Sequence, residues 1–190
     1  MTPNRQTELE TLAAAYGTPV RRSVALDVGE DSLSWWSTEK ARRRDGEVVL
    51  FIRRPSGNLI LHSKDFYPAG VFRVPSGGIK RGEPVLDAVC REVREETGLE
   101  VAVEQFLAFV EFEFHHAGDV VLYPSYAFLL RESAGELRVT DLQERISAFR
   151  EAPFTALAAV ARDLERVPPD WQTWGEFRAL PHRLVAELLG

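Results

Sequence analysis

The sequence predicts a mixed α/β (α+β) fold in which helices pack against a sheet. Two observations carry this reading. Runs rich in β-branched and aromatic residues come in pairs across short turn sequences, which is the mark of hairpins. Between and beyond them lie stretches whose apolar residues recur every three or four positions, the period of a helix packed on one side. Hairpins and helical crossovers in one chain point to helices layered on a sheet.

Taken in order, Thr7 to Tyr16 reads as a short helix ended by Gly17, with Pro19 beyond it. Ser23 to Val28 alternates as a strand does. Asp31 to Asp45 shows no clear period, and the adjacent Trp35 and Trp36 would face opposite sides of a strand. Val48 to Arg54 (VVLFIRR) and Leu59 to Ser63 (LILHS) flank the turn Pro55-Ser56-Gly57-Asn58. Tyr67 to Gly70 is a loop, and Val71 to Val74 a short strand entering a Gly77-Gly78 loop. Pro84 to Thr97 is a helix, with Pro84 at its first position and Gly98 as its C-terminal cap. Val101 to His115 and Val120 to Leu130 form a second hairpin about Ala117-Gly118-Asp119. Ile146 to Phe149 is a last strand and Phe154 to Val167 a helix, which Pro168-Pro169 breaks. Asp170 to Leu180 and Pro181 to Leu189 complete the chain as two helices. Trp171, Trp174, Phe177 and Leu180 recur at three-residue spacing, the stripe of a helix packed on a core. The whole reads as one domain over 1–190, with a helical extension over about 1–20 and C-terminal helices over about 154–190.

Composition narrows the function classes. With 45% hydrophobic and 27% charged residues, the chain has the profile of a globular protein that buries its own core. A net charge of -6 argues against a dedicated nucleic-acid binder, which carries basic excess. The basic residues cluster as Lys40, Arg42, Arg43 and Arg44, with the pairs Arg53-Arg54 and Lys80-Arg81, either as solvated surface or as the border of a phosphate site. One cysteine excludes an internal disulfide and fits a reducing compartment. No apolar run approaches the roughly 18 residues of a membrane span, and the N-terminus lacks a signal-peptide core, so a cytoplasmic protein is expected.

The chemistry concentrates in GGIKRGEPVLDAVCREVREETGL, residues 77–99. Placed on a helical wheel at about 100° per residue, Val85, Leu86, Val89, Cys90, Val93 and Thr97 share one arc, which would anchor the helix. Glu92, Glu95 and Glu96 share the neighbouring arc, because three- and four-residue separations fall on one face. Arg91, Arg94 and Asp87 lie elsewhere. Three clustered carboxylates repel unless a proton or a divalent cation relieves them, and Mg²⁺ is a hard ion that favours carboxylate oxygen and substrate phosphates. Gly77-Gly78 lets the backbone turn and come close to a ligand. Cys90, on the apolar arc, reads as a small buried hydrophobe.

Gly77, Glu83, Arg91-Glu92, Val93, Glu95-Glu96 and Gly98-Leu99 stand at the spacing G-x5-E-x7-R-E-U-x-E-E-x-G-U, with U aliphatic. The string resembles the Nudix box at every specified position, over about an eighth of the chain. The resemblance implies an α/β/α sandwich around a central mixed sheet. It also implies Mg²⁺-dependent (or Mn²⁺-dependent) hydrolysis of a pyrophosphate bond in a nucleoside diphosphate linked to another moiety: a nucleotide sugar, ADP-ribose, a dinucleotide or a nucleoside triphosphate. By position, Glu92, Glu95 and Glu96 would ligate the metal and Glu92 would act as a base. Glu83 and Arg91 would be a structural pair holding the Gly77-Gly78 loop to the helix. A further acid outside the box is expected, with Glu144 first, Asp141 second, and Glu111 and Glu113 as alternatives.

Two positions depart from the common pattern: the stretch is Ser76-Gly77-Gly78 rather than three glycines, and Lys80 stands where an acid often does. Phe114-His115-His116 carries no subfamily marker, and Tyr123 and Pro124 come later than such markers do, so the resemblance assigns no substrate. Homodimerisation is expected from the resemblance, through the Trp35-Trp36 segment or the C-terminal helices. The competing expectation is a nucleotide-binding or regulatory module without turnover. An isomerase of the same fold would need a cysteine outside the helix, and this chain has none.

Overall fold

A computed structural model of the protein describes residues 3–28, 44–116 and 118–189. Trp35, Trp36, Lys40, Arg42 and Arg43 lie outside the described residues. The strands are β1 (Val20–Asp27), β2 (Arg44–Arg53), β3 (Leu59–Lys64), β4 (Ser76–Lys80), β5 (Leu99–His116), β6 (Asp119–Gly135) and β7 (Ile146–Ala152). The helices are α1 (Pro3–Tyr16), α2 (Val85–Thr97), α3 (Leu157–Glu165) and α4 (Gln172–Leu189). The strands form one mixed sheet in the order β1-β5-β6-β2-β3-β7, with β4 paired to β2. β1–β5 and β2–β6 are parallel, and the remaining pairs are antiparallel.

Alternation along the strands builds a core on each face of the sheet. In β2, Val48, Leu50 and Ile52 face one side, where they meet Leu9 and Leu12 of α1 and Val85, Ala88, Val89 and Val93 of α2. Val49 and Phe51 face the other, against Leu157, Val160 and Leu164 of α3 and Phe177 and Val185 of α4. A strand apolar on both faces is what a helix–sheet–helix sandwich requires. Each fully buried aliphatic side chain contributes roughly 1.5–3 kcal/mol, so α2 is fixed mainly by its valines rather than by helix propensity.

Several expectations are corrected. Residues 71–74 form no strand; Arg73 makes only an isolated bridge to His62, and the strand lies one step later at Ser76–Lys80. The Val48/Leu59 hairpin touches at Arg53↔Leu59 alone, because β3 swings away to pair with β7 and β4 takes its place beside the first half of β2. Pro84 sits at the N-cap rather than inside α2. Pro181 does not divide the last two helical stretches: α4 runs through it. Proline removes one backbone bond there, but Phe177, Ala179, Leu184 and Val185 are buried on both sides of it and hold the helix to the sheet. The aromatic stripe packs as expected, with Phe177 buried and Trp171, Trp174 and Leu180 packed against the same core.

The N-terminal helix reaches the start of α2 and the loop before it. Pro84 offers no side-chain cap to α2, and the carboxylate of Glu8 in α1 accepts from the Val85 N–H at 2.7 Å instead. Arg5 donates to Asp45 at 3.0 Å and to the Glu83 carbonyl at 3.1 Å, and Asp45 accepts from the Gly82 N–H at 2.8 Å. α1 therefore clamps the loop that leads into α2. Replacing Glu8 by Ala removes the cap and one of the Arg5 partners, since Arg5 also pairs with Glu8 at 2.7 Å. We expect a loss of about 1–2 kcal/mol in unfolding free energy, read from a urea titration at pH 7.

Candidate active site

Gly77 and Gly78 are not a turn. Both lie in β4, paired with Val48 and Glu47 of β2, and the chain turns later, at Gly82 with φ of 72°. Their size matters for close approach, as expected, but to side chains of this protein. A Cβ on Gly77 would stand 1.8 Å from the carboxyl carbon of Glu92, and one on Gly78 would stand 2.3 Å from the Arg44 side chain.

Arg91 ties this strand to the helix. Its Nε donates to Glu83 Oε1 at 2.8 Å, and its Nη2 to Glu83 Oε2 and the Gly78 carbonyl, both at 2.9 Å. Its Nη1 donates to Glu92 Oε1 at 2.6 Å and to Glu95 Oε2 at 2.9 Å. The helical wheel set Arg91 apart from the acids, but its long side chain bends back across them. Glu83 also accepts from the Lys80 N–H at 2.8 Å, and the Arg91 hydrogen bonds hold its carboxyl below the usual range.

The buried arc of α2 is rotated from the expected one. Ala88, Glu92 and Glu96 are buried with Val85, Val89, Val93 and Thr97, while Leu86 is only partly covered and Cys90 is exposed. The arc turned because Arg91, Lys64 and the Ser76 amide give the carboxylates partners inside, so the acids rather than the thiol face the sheet. Glu96 is fully buried; its Oε2 accepts from the Ser76 N–H at 3.1 Å, and its Oε1 lies 3.0 Å from Lys64 Nζ without a well-directed hydrogen bond.

Glu144, carried by a short 3-10 turn (Leu142–Glu144), reaches the same place. One oxygen each from Glu92, Glu95 and Glu144 lie within 4.8 Å of one another. Lys64 Nζ donates to Glu144 Oε2 at 2.6 Å. Burial first, and then the charge of Glu96, push Glu92 up to about 7 against the pull of Arg91. Burial likewise raises Glu96. For Glu144 the effect of burial is outweighed by the Lys64 hydrogen bond and charge, and the carboxyl is held below its ordinary value. Crowded, partly desolvated oxygens with two groups pushed toward protonation are a donor set that a hard divalent cation fits. The Glu96 oxygen without a directed hydrogen bond fits one as well.

The other candidates stand apart from this group. Asp141 caps the 3-10 turn by accepting from the Gln143 N–H at 2.8 Å. Glu111 and Glu113 are held in β5 between β1 and β6, and Glu113 lies 3.5 Å from His115. His116 Nδ1 lies 3.2 Å from the Val28 carbonyl. Lys80 is exposed. Arg53 and Arg54 are engaged with Glu104, Glu132 and Glu151, so that basic pair is structural.

Sequence reasoning missed the polar layer beneath the carboxylates. Arg73 Nη1 and Arg178 Nη1 both donate to Ser76 Oγ, at 2.8 and 3.1 Å, and Arg178 pairs at 2.5 Å with Glu47, which is buried. His182 Nε2 accepts from the Val74 N–H at 3.1 Å while Nδ1 meets the Arg178 carbonyl at 2.8 Å, and burial lowers this histidine to about 3. Glu47 and Lys64 are charged residues at the ends of apolar runs within strands, and that was the one available signal.

A model of the NUDIX domain matches residues 41–173. An "ADP-ribose pyrophosphatase" of Methanocaldococcus jannaschii is 30% identical over 124 residues, 65% of this chain and 70% of that one. A "NAD-capped RNA hydrolase NudC" of Photorhabdus laumondii subsp. laumondii is 32% identical over 101 residues, 53% of this chain and 36% of that one, so the match spans about a third of NudC. The solved structure of an ADP-ribose pyrophosphatase from Streptococcus suis aligns with a TM-score of 0.46 at 19% identity, covering 75% and 89% of the two chains. The chain belongs to the Nudix family. It is a Nudix-type diphosphohydrolase, an enzyme that cleaves the pyrophosphate bond of a nucleoside diphosphate linked to another moiety.

Two outcomes follow for this site. Gly77→Ala forces the Glu92 carboxylate aside, and a misplacement of about 1 Å at an active site costs roughly 10²-fold in rate; kcat/KM should fall by about that factor while circular dichroism stays native. In the metal-free protein, folded Glu92 keeps a proton that the unfolded chain releases between pH 4.5 and about 7. Its contribution to stability is therefore present below 4.5 and lost as pH rises through 7, at about 1.4 kcal/mol per pH unit across that window. Buried His62 and His182, both lowered, act in the opposite direction below 6.5. The difference in unfolding free energy between Glu92→Gln and wild type isolates the carboxyl, and it should grow in favour of the variant from pH 5 to pH 7 in EDTA.

Proposed function

We propose that Glu92, Glu95 and Glu96 hold Mg²⁺, or Mn²⁺ in its place, that Glu144 completes the set, and that the substrate is a dinucleotide-type pyrophosphate such as ADP-ribose or NADH. The observation that carries this is the convergence of α2 and the Leu142–Glu144 turn, with oxygens of Glu92, Glu95 and Glu144 within 4.8 Å and Glu96 buried beside them. Held by Glu92, Glu95, Glu96 and Glu144, a divalent ion would neutralise the pyrophosphate and acidify water. Within this frame Glu92, buried and oriented by Arg91, takes the proton of the attacking water. Glu144, which faces the same cluster from the turn before β7, is the second base, and Arg91 fixes the rotamers of Glu92 and Glu95.

The substrate class draws on two supports. The relatives named above are an ADP-ribose pyrophosphatase and a NAD-capped RNA hydrolase, and the substrates in both names join an ADP moiety to a second ribose. Beside Lys64 and Glu144, the half-exposed Phe66 stacks on Trp171 with ring centroids 6.5 Å apart and carries the Arg145 guanidinium 4.9 Å from its centroid. An aromatic face of this kind takes a nucleobase by stacking. A small-molecule enzyme of the cytoplasm, acting as a homodimer, completes the proposal; sedimentation velocity tests the last part.

The deciding experiment is a hydrolysis screen with Mg²⁺ and Mn²⁺ over ADP-ribose, NADH, nucleotide sugars, dinucleoside polyphosphates and nucleoside triphosphates. We expect ADP-ribose or NADH to give the highest kcat/KM with AMP as a product, and turnover confined to triphosphates would refute the substrate class. Glu96→Gln should abolish turnover with the fold intact, and Glu144→Gln should lower kcat by about 10²-fold or more.

A further inference from the structure

Lys64 is a cation built into a site whose acids are suited to another cation. It ends β3 just after a register shift between Ser63 and Lys64, and it pairs with Ile146. The Asp65 N–H donates to the Arg145 carbonyl at 3.0 Å, so the backbone ties this end of β3 to the segment that carries Glu144. The Lys64 side chain is 10% exposed, and its Nζ stands 2.6 Å from Glu144 Oε2 and 3.0 Å from Glu96 Oε1. These are oxygens of the two acids that face the cluster from opposite elements, the turn before β7 and the buried side of α2.

An ammonium is a compact point charge on a flexible four-carbon stem, with three donors and no acceptor. Held between two carboxylates, it partly neutralises an acid cluster that would otherwise be unstable when desolvated. It competes with a divalent ion for those oxygens, because like charges a few ångströms apart in a partly dry site repel strongly. Resting on the reading that these carboxylates bind a divalent metal, we propose that Lys64 is an internal counter-ion that stands in the metal's place, and that metal loading displaces its ammonium from Glu96 and Glu144. The residue then has two effects: it stabilises the metal-free fold, and it sets metal affinity below what the four carboxylates alone would give.

The test reads metal binding rather than turnover. Mn²⁺ is titrated into wild type, Lys64→Met and Glu95→Gln, with bound metal followed by calorimetry and free Mn²⁺ by electron paramagnetic resonance. Lys64→Met should bind Mn²⁺ at least about tenfold more tightly, since a full charge has been removed from beside the ligands. Its metal-free form should melt below wild type, and saturating Mn²⁺ should close that gap. Equal or weaker Mn²⁺ affinity in folded Lys64→Met overturns the proposal. If the variant does not fold without metal, ¹⁵N NMR of wild-type lysine ammonium groups decides the question. The Lys64 signal, assigned by its loss in Lys64→Arg, should move on addition of Mg²⁺, and a signal unmoved at saturating Mg²⁺ overturns the proposal. Wild type that binds no Mn²⁺, or Glu95→Gln that binds it as tightly as wild type, would instead show that the metal reading beneath it is wrong.

Discussion

The Arg91 guanidinium is the constraint on which the rest of the site depends. It takes part in three ion pairs and also bonds the Gly78 carbonyl, so one side chain joins β4, the loop after it and two turns of α2. A planar fork with fixed donors suits this; a lysine could neutralise the charge but could not hold the geometry. Because Glu83 occupies Nε and one Nη2 hydrogen, the Nη1 edge of the guanidinium is left for Glu92 and Glu95. The spacing from Glu83 to Arg91 to Glu95 in the sequence is thus the footprint of one guanidinium.

Around that hub the protein desolvates negative charge. Glu92 and Glu96 are buried, and burying carboxylates is costly unless they are paired or hydrogen-bonded. The relief comes from three directions: Arg91 in the same helix, the Ser76 amide in β4 and Lys64 at the end of β3. The relief is incomplete, and burial still pushes Glu92 up to about 7. Beneath it, Arg73, Ser76, Arg178 and Glu47 extend the polar layer through the sheet to α4, so the C-terminal helix is bonded to the strand that carries Gly77.

Much of this was legible because it is local. The helix with its Pro84 entry and Gly98 exit, the β5–β6 hairpin, and the placing of Glu92, Glu95 and Glu96 on one helix all rest on short-range periodicity, turn chemistry or motif spacing. The misreadings share a cause as well. Val71–Val74 looked like a strand by composition, yet pairing with β2 chose Ser76–Lys80, glycines included. Cys90 looked buried by hydrophobicity, but the helix rotated to place paired acids inside. Pro181 looked like a break, but packing on both sides outweighed one lost hydrogen bond.

By itself the sequence determined the spacing of the box and its placement on one amphipathic helix, because these depend on separations along one chain segment; through the resemblance that spacing carries, it also pointed to the family and the class of bond attacked. Tertiary structure alone decided that Glu8 caps α2, that Glu144 closes the carboxylate group, and that Lys64 stands between Glu96 and Glu144. Those contacts join residues 77, 49, 32 and 80 positions apart, by subtraction of their numbers along the chain. No local period encodes such pairs; they exist only once the sheet has brought its strand ends together.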